Sequence, residues 1–414
     1  MKTKRIIVVG AGPAGMMAAI RAAALQQSVV LIEKNPVVGK KLLLSGKGRC
    51  NLTNSCDLDS FLSRFSKNSQ FLRDAFSKFF NRDLMDFFEE RGLKLKTERQ
   101  MRVFPVTDSS GSVVKVLLEE LKKTNVSILY KTTVRNLLIK DTKITGVLLE
   151  GGKVLPADRV IVATGGISYA FTGSTGEGLG MAEKSGHGIA ALKAGLVPLV
   201  AKDRDIRPLE GLTLKNIRLT FKGKKKEIVS EIGELLFTGF GVSGPLVLTL
   251  SGKVIDLLEG SKEIFVFIDL KPGLSSEQLD SRLLREFKNN ATKSIKNTLK
   301  TLLPKSMIDV VMKRSQIDPD KKANQVTQAE RLNLLSLLKK FPLSVTGALP
   351  IEEAMVTRGG VSLKDIDPRT MGSRVVGGLY FAGEMIDLDA DTGGFNLQAA
   401  FSTGYLAGES AALE

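Results

Sequence analysis

The sequence predicts an α/β protein. A parallel-sheet dinucleotide-binding domain is interrupted by a long insertion, made of a small β-barrel and a helical subdomain. Three observations predict this. A β-branched run, Arg5 to Val9, leads straight into Gly10-Ala11-Gly12-Pro13-Ala14-Gly15. Strand-and-glycine segments of the same kind return near 161–166 and again after 347. Between them the apolar spacing follows other rules, first period two and then helical. The expected spans are 1–190 plus 347–414 for the nucleotide domain and 191–346 for the insert. Within the insert, 191–272 and about 341–346 read as barrel-like, and 273–340 as helical.

The first element is a continuous apolar strand, as expected for the buried centre of a parallel sheet. The glycines after it each have a task. Gly10 permits the tight turn, Gly12 lets the backbone approach a pyrophosphate, and Gly15 lets the next helix pack on the strand. Pro13 and Ala14 open that helix, which reads as Met16 to Leu25. Its N-terminus offers free N–H groups and a positive dipole end. Val29 to Ile32 is a second buried strand, closed by Glu33, about 20 residues on and placed to accept from ribose hydroxyls. An acid here argues against a 2′-phosphate, so NADP does not belong at this site.

Ile6 to Ile20 carries no charge and follows a basic start, superficially like a secretory leader. Its glycines, its proline and its termination at Arg21 fit the strand and phosphate turn instead, and a spanning helix needs about 20 apolar residues. A cytoplasmic protein with no membrane partner is expected. The 414 residues contain two Cys and one His, so neither a disulfide scaffold nor a His-rich metal site is expected. Apolar residues make up 43% and charged residues 25%, which excludes a disordered chain.

Ser127 to Tyr130, Val134 to Lys140, Thr145 to Glu150 and Arg159 to Ala163 alternate like the strands of a meander. Ile161 to Gly166 ends in Ala163-Thr164-Gly165-Gly166. Leu379 to Glu384 ends in Ala382-Gly383-Glu384. Gly393-Gly394-Phe395-Asn396-Leu397-Gln398 opens a final helix, Ala399 to Ala411. This set resembles the FAD domains of the glutathione-reductase and fumarate-reductase superfamilies. The resemblance implies that Glu384 serves the ribityl–pyrophosphate region. It implies that the backbone at Val134 reads the adenine edge, and that the last helix points at the flavin pyrimidine. A second GxGxxG for NAD(P)H is absent. Cys50 and Cys56 are C-x5-C and are not read as a redox pair.

Gly39 to Asn54, GKKLLLSGKGRCNLTN, is too rich in Gly and cations to be core and sets Lys40, Lys41, Lys47 and Arg49 beside an anionic cofactor. With GAGPAG, ATGG, GSTGEG (173–178), SGPLVL (243–248) and GLYFAGEMIDLDADTGGFNLQAAFSTGYLAG, it resembles the BaiN-like bacterial flavoproteins from end to end. That family includes amine-oxidising and enone-reducing enzymes. The chain departs from its pattern at Ala170, usually Pro, and at Gly239, usually His.

The expected cofactor is FAD, with NAD(P)H as a transient donor. Its expected contacts are Gly10, Gly12, Pro13, Ala14, Gly15, Glu33, Lys34, Lys41, Ser45, Gly46, Gly48, Arg49, Cys50 and Asn51 in the first half. Val134, Ala163, Thr164, Gly165, Gly383, Glu384, Asp387, Gly394, Asn396, Leu397, Gln398 and Ala399 complete them. Arg49, Asn51 and Asn396 are the candidates for positioning substrate. The expected reaction is hydride transfer to or from flavin N5 on a small organic substrate, either NAD(P)H-linked enone reduction or amine oxidation by O2. The residues do not choose between these, nor between monomer and homodimer.

Val197 to Leu270 alternates β-like runs, including 217–221 and 263–269, with Gly turns. Ser275 to Lys340 shows helical spacing. The insert is expected to roof the flavin. Eight Phe between 61 and 88 read as core, and His187 as a structural turn residue. The formal charge of +16 raises an alternative, an RNA-modifying flavoprotein. The charge is spread, with 27 basic and 17 acidic residues between 193 and 345, and Lys224-Lys225-Lys226 is the sole run of three. With no recognised nucleic-acid motif, nucleic acid is not expected as a partner.

Overall fold

A computed structural model describes residues 3–224 and 226–414; Met1, Lys2 and Lys225 of the lysine run lie outside the described residues. The chain divides into two compact units, 1–195 with 351–414 and 196–350.

In the first unit a five-stranded parallel sheet is centred on Arg5–Val9. The strand order is Leu379–Phe381, Arg159–Val162, Arg5–Val9, Ser28–Ile32, Ser127–Leu129. Ile6, Val8, Leu31, Val160 and Ile161 are wholly buried, as a sheet covered on both faces requires. The helix after the first strand runs Pro13–Ala24, three residues earlier than its apolar spacing suggests. Proline is pre-organised for a first helical position, and its missing N–H costs nothing there. The last helix, Phe395–Leu413, also starts earlier than expected. These two helices meet backbone to backbone. A Cβ on Gly404 would lie 2.2 Å from the Ala14 carbonyl oxygen, and one on Gly408 would lie 2.3 Å from that of Ala18.

The meander differs from its sequence reading. Ser127–Leu129 and Arg159–Val162 join the parallel sheet, and the antiparallel meander is Val134–Lys140, Lys143–Leu149 and Val154–Pro156. Short alternation marks a strand but not its partner. The Phe-rich stretch folds as short helices, including Leu58–Leu62, Arg73–Lys78 and Asn81–Glu89. Phe61 sits edge-on to Phe76, Phe80 and Phe395 at 5.3, 5.1 and 4.7 Å, so these rings form core.

The second unit holds a seven-stranded antiparallel sheet that closes on itself. Thr213–Lys222 pairs with Gly233–Thr238 on one side and Ile264–Asp269 on the other, and Glu227–Val229 is also paired to it. Phe221, Phe237, Val266 and Phe341 fill its interior. Four α-helices lie within 276–339: Ser276–Asn289, Ile295–Thr298, Lys305–Ser315 and Gln328–Lys339. One segment inside the span read as barrel-like, 197–270, is helical. Pro245–Leu258 follows Gly244 (φ 95°), again with proline at the first turn. Among the described residues no helix is long and apolar enough to cross a membrane.

Candidate functional site

The turn after the first strand is built by close backbone approach. Gly10 has φ 98°, and a Cβ there would lie 2.7 Å from the Ala163 carbonyl oxygen. Its N–H donates to the Ile32 carbonyl at 2.8 Å, tying the turn to the second strand. A Cβ on Gly15 would sit 1.8 Å from the Gly10 carbonyl oxygen. Gly12 is different, because nothing lies within 4 Å of a Cβ built there. Among the described residues no side chain caps the helix that Gly12 begins, so its first-turn N–H groups have no side-chain acceptor.

Glu33 is buried at the end of the second strand. Its Oε2 accepts from the Ala11 N–H at 2.9 Å, and its Oε1 accepts from Asn35 N and Nδ2, both at 2.8 Å. A carboxylate has about four acceptor positions, so about one remains for a hydroxyl. Lys34 donates to Thr175 Oγ1 at 2.7 Å and pairs with Glu177 at 3.1 Å.

Just past strand Arg159–Val162, the Ala163 N–H donates to the Val9 carbonyl oxygen at 2.8 Å. Thr164 Oγ1 lies where a Cβ of Gly178 would approach to 1.9 Å. Gly165 takes φ 75°, and the N–H of Gly383 donates to Thr403 Oγ1 at 3.0 Å. Glu384 is engaged on both oxygens. Lys41 Nζ donates to Oε2 at 2.6 Å, while Ser168 Oγ and the Thr357 N–H donate to Oε1 at 2.9 and 2.7 Å.

The segment 45–54 reaches the start of the last helix. A Cβ on Gly394 would lie 2.4 Å from the Thr53 backbone carbon, and Asn54 Nδ2 donates to the Gly393 carbonyl at 3.3 Å. Gly46, Lys47, Gly48 and Cys50 all have positive φ, which makes this segment a tightly wound loop. Ser45 Oγ donates to the Leu42 carbonyl at 2.6 Å. Burial pushes the Cys50 thiol up to about 12, and both Cys50 and Cys56 are free thiols.

The three substrate-positioning candidates have different surroundings. Arg49 pairs with Glu98 and Asp108 and lies 4.3 Å over the Phe104 ring. The hydrogen bond from Arg49 holds the Glu98 carboxyl below its ordinary value; Lys96, and then Arg49, do the same for Asp108. Asn396 accepts from Ala390 N–H at 2.9 Å and donates to the Ala390 carbonyl at 2.8 Å, so it shapes its own turn. Asn51 Oδ1 is buried and has no hydrogen-bond partner among the described residues.

The family model described as "HI0933-like protein Rossmann domain" matches residues 4–410. This chain belongs to the HI0933-like family. Among curated relatives, it is 31% identical over 410 residues to a 3-dehydro-bile acid delta(4,6)-reductase of Clostridium scindens, covering 99% of each chain. It is also 31% identical over 401 residues to a ribosomal RNA dihydrouridine synthase of Escherichia coli, covering 96% of each. Among solved structures, a 3-ketosteroid delta1-dehydrogenase from Sterolibacterium denitrificans shares the fold. Its TM-score is 0.51 at 13% identity, with all of both chains covered.

In this HI0933-like protein the structure gathers Gly10 to Gly15, Glu33 and Ala163 at one turn. It gathers Asn54, Gly394 and Gln398 around Thr53. It does not leave every expected side chain open. Gln398 is fully buried, accepting from Thr53 Oγ1 at 2.6 Å and donating to Ser402 at 3.0 Å. Leu397 and Ala399 are half-buried on the same first turn. Asp387 Oδ2 pairs with Lys67 at 2.9 Å, and its buried Oδ1 has no partner among the described residues. Val134 is buried at the start of the meander, opposite Leu149. Thr357 and Ser168 escaped sequence reasoning. Thr357 Oγ1 accepts from the Ile167 and Ser168 N–H groups across about 190 positions, and no local pattern announces that. His187 is buried, with Nδ1 3.0 Å from the Ala182 carbonyl and Nε2 2.6 Å from Ser373 Oγ. Among the described residues no group of three or more His, Cys, Asp or Glu is placed to hold a metal.

Proposed function

We propose that this protein is an FAD-dependent oxidoreductase working as a reductase of carbon–carbon double bonds conjugated to a carbonyl, with NAD(P)H as donor. The observation that carries the cofactor assignment is the turn at Gly12. It combines open space, an uncapped helix start and a buried Glu33 with acceptor capacity left. The unpartnered Asn51 Oδ1 adds an acceptor that a cofactor or substrate N–H or O–H would satisfy. FAD, when bound, supplies hydride transfer.

The chain's own residues do the rest. Gly12 and the first turn of its helix receive the pyrophosphate, and Glu33 receives the adenosine ribose. Lys41, Ser168 and Thr357 hold Glu384 in one orientation. Thr53 seats the start of the last helix, whose positive end stabilises negative charge facing it. Asn396 is a positioning residue for that start, and Arg49 pins the loop that carries Asn51.

The reductive direction rests on the relatives. One is named for reducing delta(4,6) bonds of a 3-dehydro bile acid, the other for making dihydrouridine. Both changes add a hydride and a proton across a double bond that a carbonyl polarises. A small organic enone is the substrate class. A second reading, uracil within RNA, is favoured by the two dihydrouridine synthases from E. coli and Haemophilus influenzae, 31% and 30% identical.

The test is anaerobic titration of the flavin-loaded protein with NADH and NADPH, followed by an enone. Bleaching by a pyridine nucleotide and recovery of the yellow colour with the enone are expected. A protein that takes up no FAD, or is bleached by neither donor, overturns the reading.

A further inference from the structure

The outward face of the barrel in the second unit carries a feature that the flavin chemistry does not use. On strand Ile264–Asp269, Ile264, Val266 and Ile268 point inward and are buried. Phe265 and Phe267 point the other way. Their ring centroids lie 6.5 Å apart with planes 24° from parallel, and Phe265 is 47% exposed. An exposed aromatic ring with a half-buried one beside it in the middle of a sheet face is not explained by folding, because burial would have favoured both inside.

The neighbours across the strands are cationic, hydroxylic or apolar. Lys222 stands opposite Phe265 on one side and Ser344 on the other. Thr220 stands opposite Phe267, with Pro342 beyond it. Val229, 55% exposed, extends the same row past Thr220. Arg218 stands opposite Asp269, and that carboxylate is already paired with Lys339 at 2.6 Å. Arg218, Lys222, Lys224 and Lys226 are exposed and form no ion pair among the described residues. Glu227, opposite Lys222, is the one acid beside this group on the paired strand.

A sheet face with adjacent aromatic rings edged by unpaired cations is a chemistry for single-stranded nucleic acid. Bases stack on the rings irrespective of sequence, and the cations neutralise the backbone. A protein partner would be served by the apolar surface but not by the row of unpaired positive charges. We propose that the outward face of strands Thr213–Lys222 and Ile264–Asp269 docks single-stranded RNA, with two consecutive bases on Phe265 and Phe267 and phosphates at Lys222 and Arg218. The choice of RNA over DNA rests on the reading of uracil within RNA as a substrate.

The test measures binding of a fluorescent single-stranded U-rich RNA 10-mer to the flavin-loaded protein. Phe265→Ala with Phe267→Ala should weaken binding by about 5- to 150-fold per ring, with FAD content and reduction by NAD(P)H unchanged. Arg218→Gln with Lys222→Gln should lower the slope of log K against log salt by about 1.4. Tight binding that the ring variant retains overturns this surface while leaving RNA as a ligand. No binding by the wild-type protein, or a wild-type dimer that the ring variant dissolves, also overturns it. The RNA reading is judged separately, by whether deleting the gene removes a dihydrouridine from ribosomal RNA.

Discussion

Glu33 Oε2 accepts a hydrogen bond from the backbone N–H of Ala11 at 2.9 Å, inside the turn that would face a pyrophosphate. The same carboxylate therefore fixes the turn and keeps acceptor capacity for a ribose. Glu33→Ala should remove both. The protein should lose roughly 1.5–3 kcal/mol of stability, as for a buried hydrogen bond to a charged group. Its FAD content should fall in parallel. Chemical unfolding with and without added FAD separates the two losses.

Gly12 and Gly404 should respond oppositely to a side chain. A Cβ at Gly12 meets nothing within 4 Å, and its φ of −77° suits any residue. Gly12→Val should fold with an unchanged circular dichroism melt of the FAD-free protein, yet purify colourless. Gly404→Ala drives a methyl into the Ala14 carbonyl and should lower the melt itself.

Cys50 should be inert. Burial pushes its thiol up to about 12 from 9.0, so almost no thiolate forms near pH 8. The associated stability is fully present below 9.0 and is lost as pH rises toward 12. Alkylation at pH 8 should label Cys56 in the native protein and both thiols once it is unfolded. Peptide mass mapping reads this.

His187 should matter for acid stability and not for chemistry. Burial lowers its pKa below 6.5, so the folded state binds fewer protons than the unfolded one. Its contribution is fully present above 6.5 and fades as pH falls toward the lowered value. His187→Gln should flatten the pH dependence of the melting temperature below 6.5, while the rate of flavin reduction stays unchanged. A collapse of that rate with FAD still bound would contradict this.

The glycine turn after Arg5–Val9 was legible because its requirements are local. Gly10 and Gly15 answer a backbone approach, to the adjoining strand and within a few residues, while Gly12 faces open space. Glu384 was harder, since the sequence marks the acid but not its partners. Lys41 lies 343 positions away and Ser168 lies 216 away. The Phe265 and Phe267 alternation could be read as a strand, but Lys222 comes to stand opposite Phe265, and Arg218 opposite Asp269, only through cross-strand register. The helix Pro245–Leu258 went unmarked within the β-like span because an apolar run suits a buried helix as well as a strand.

A flavin-dependent reductase differs from an oxidase in what reoxidises it. Stopped-flow reoxidation of the NAD(P)H-reduced protein, comparing an enone with dissolved O2, separates the two. Rapid reoxidation by the enone and slow reoxidation by O2 are expected. Rapid reoxidation by O2 with stoichiometric peroxide, and none by any conjugated acceptor, would contradict the reductase reading.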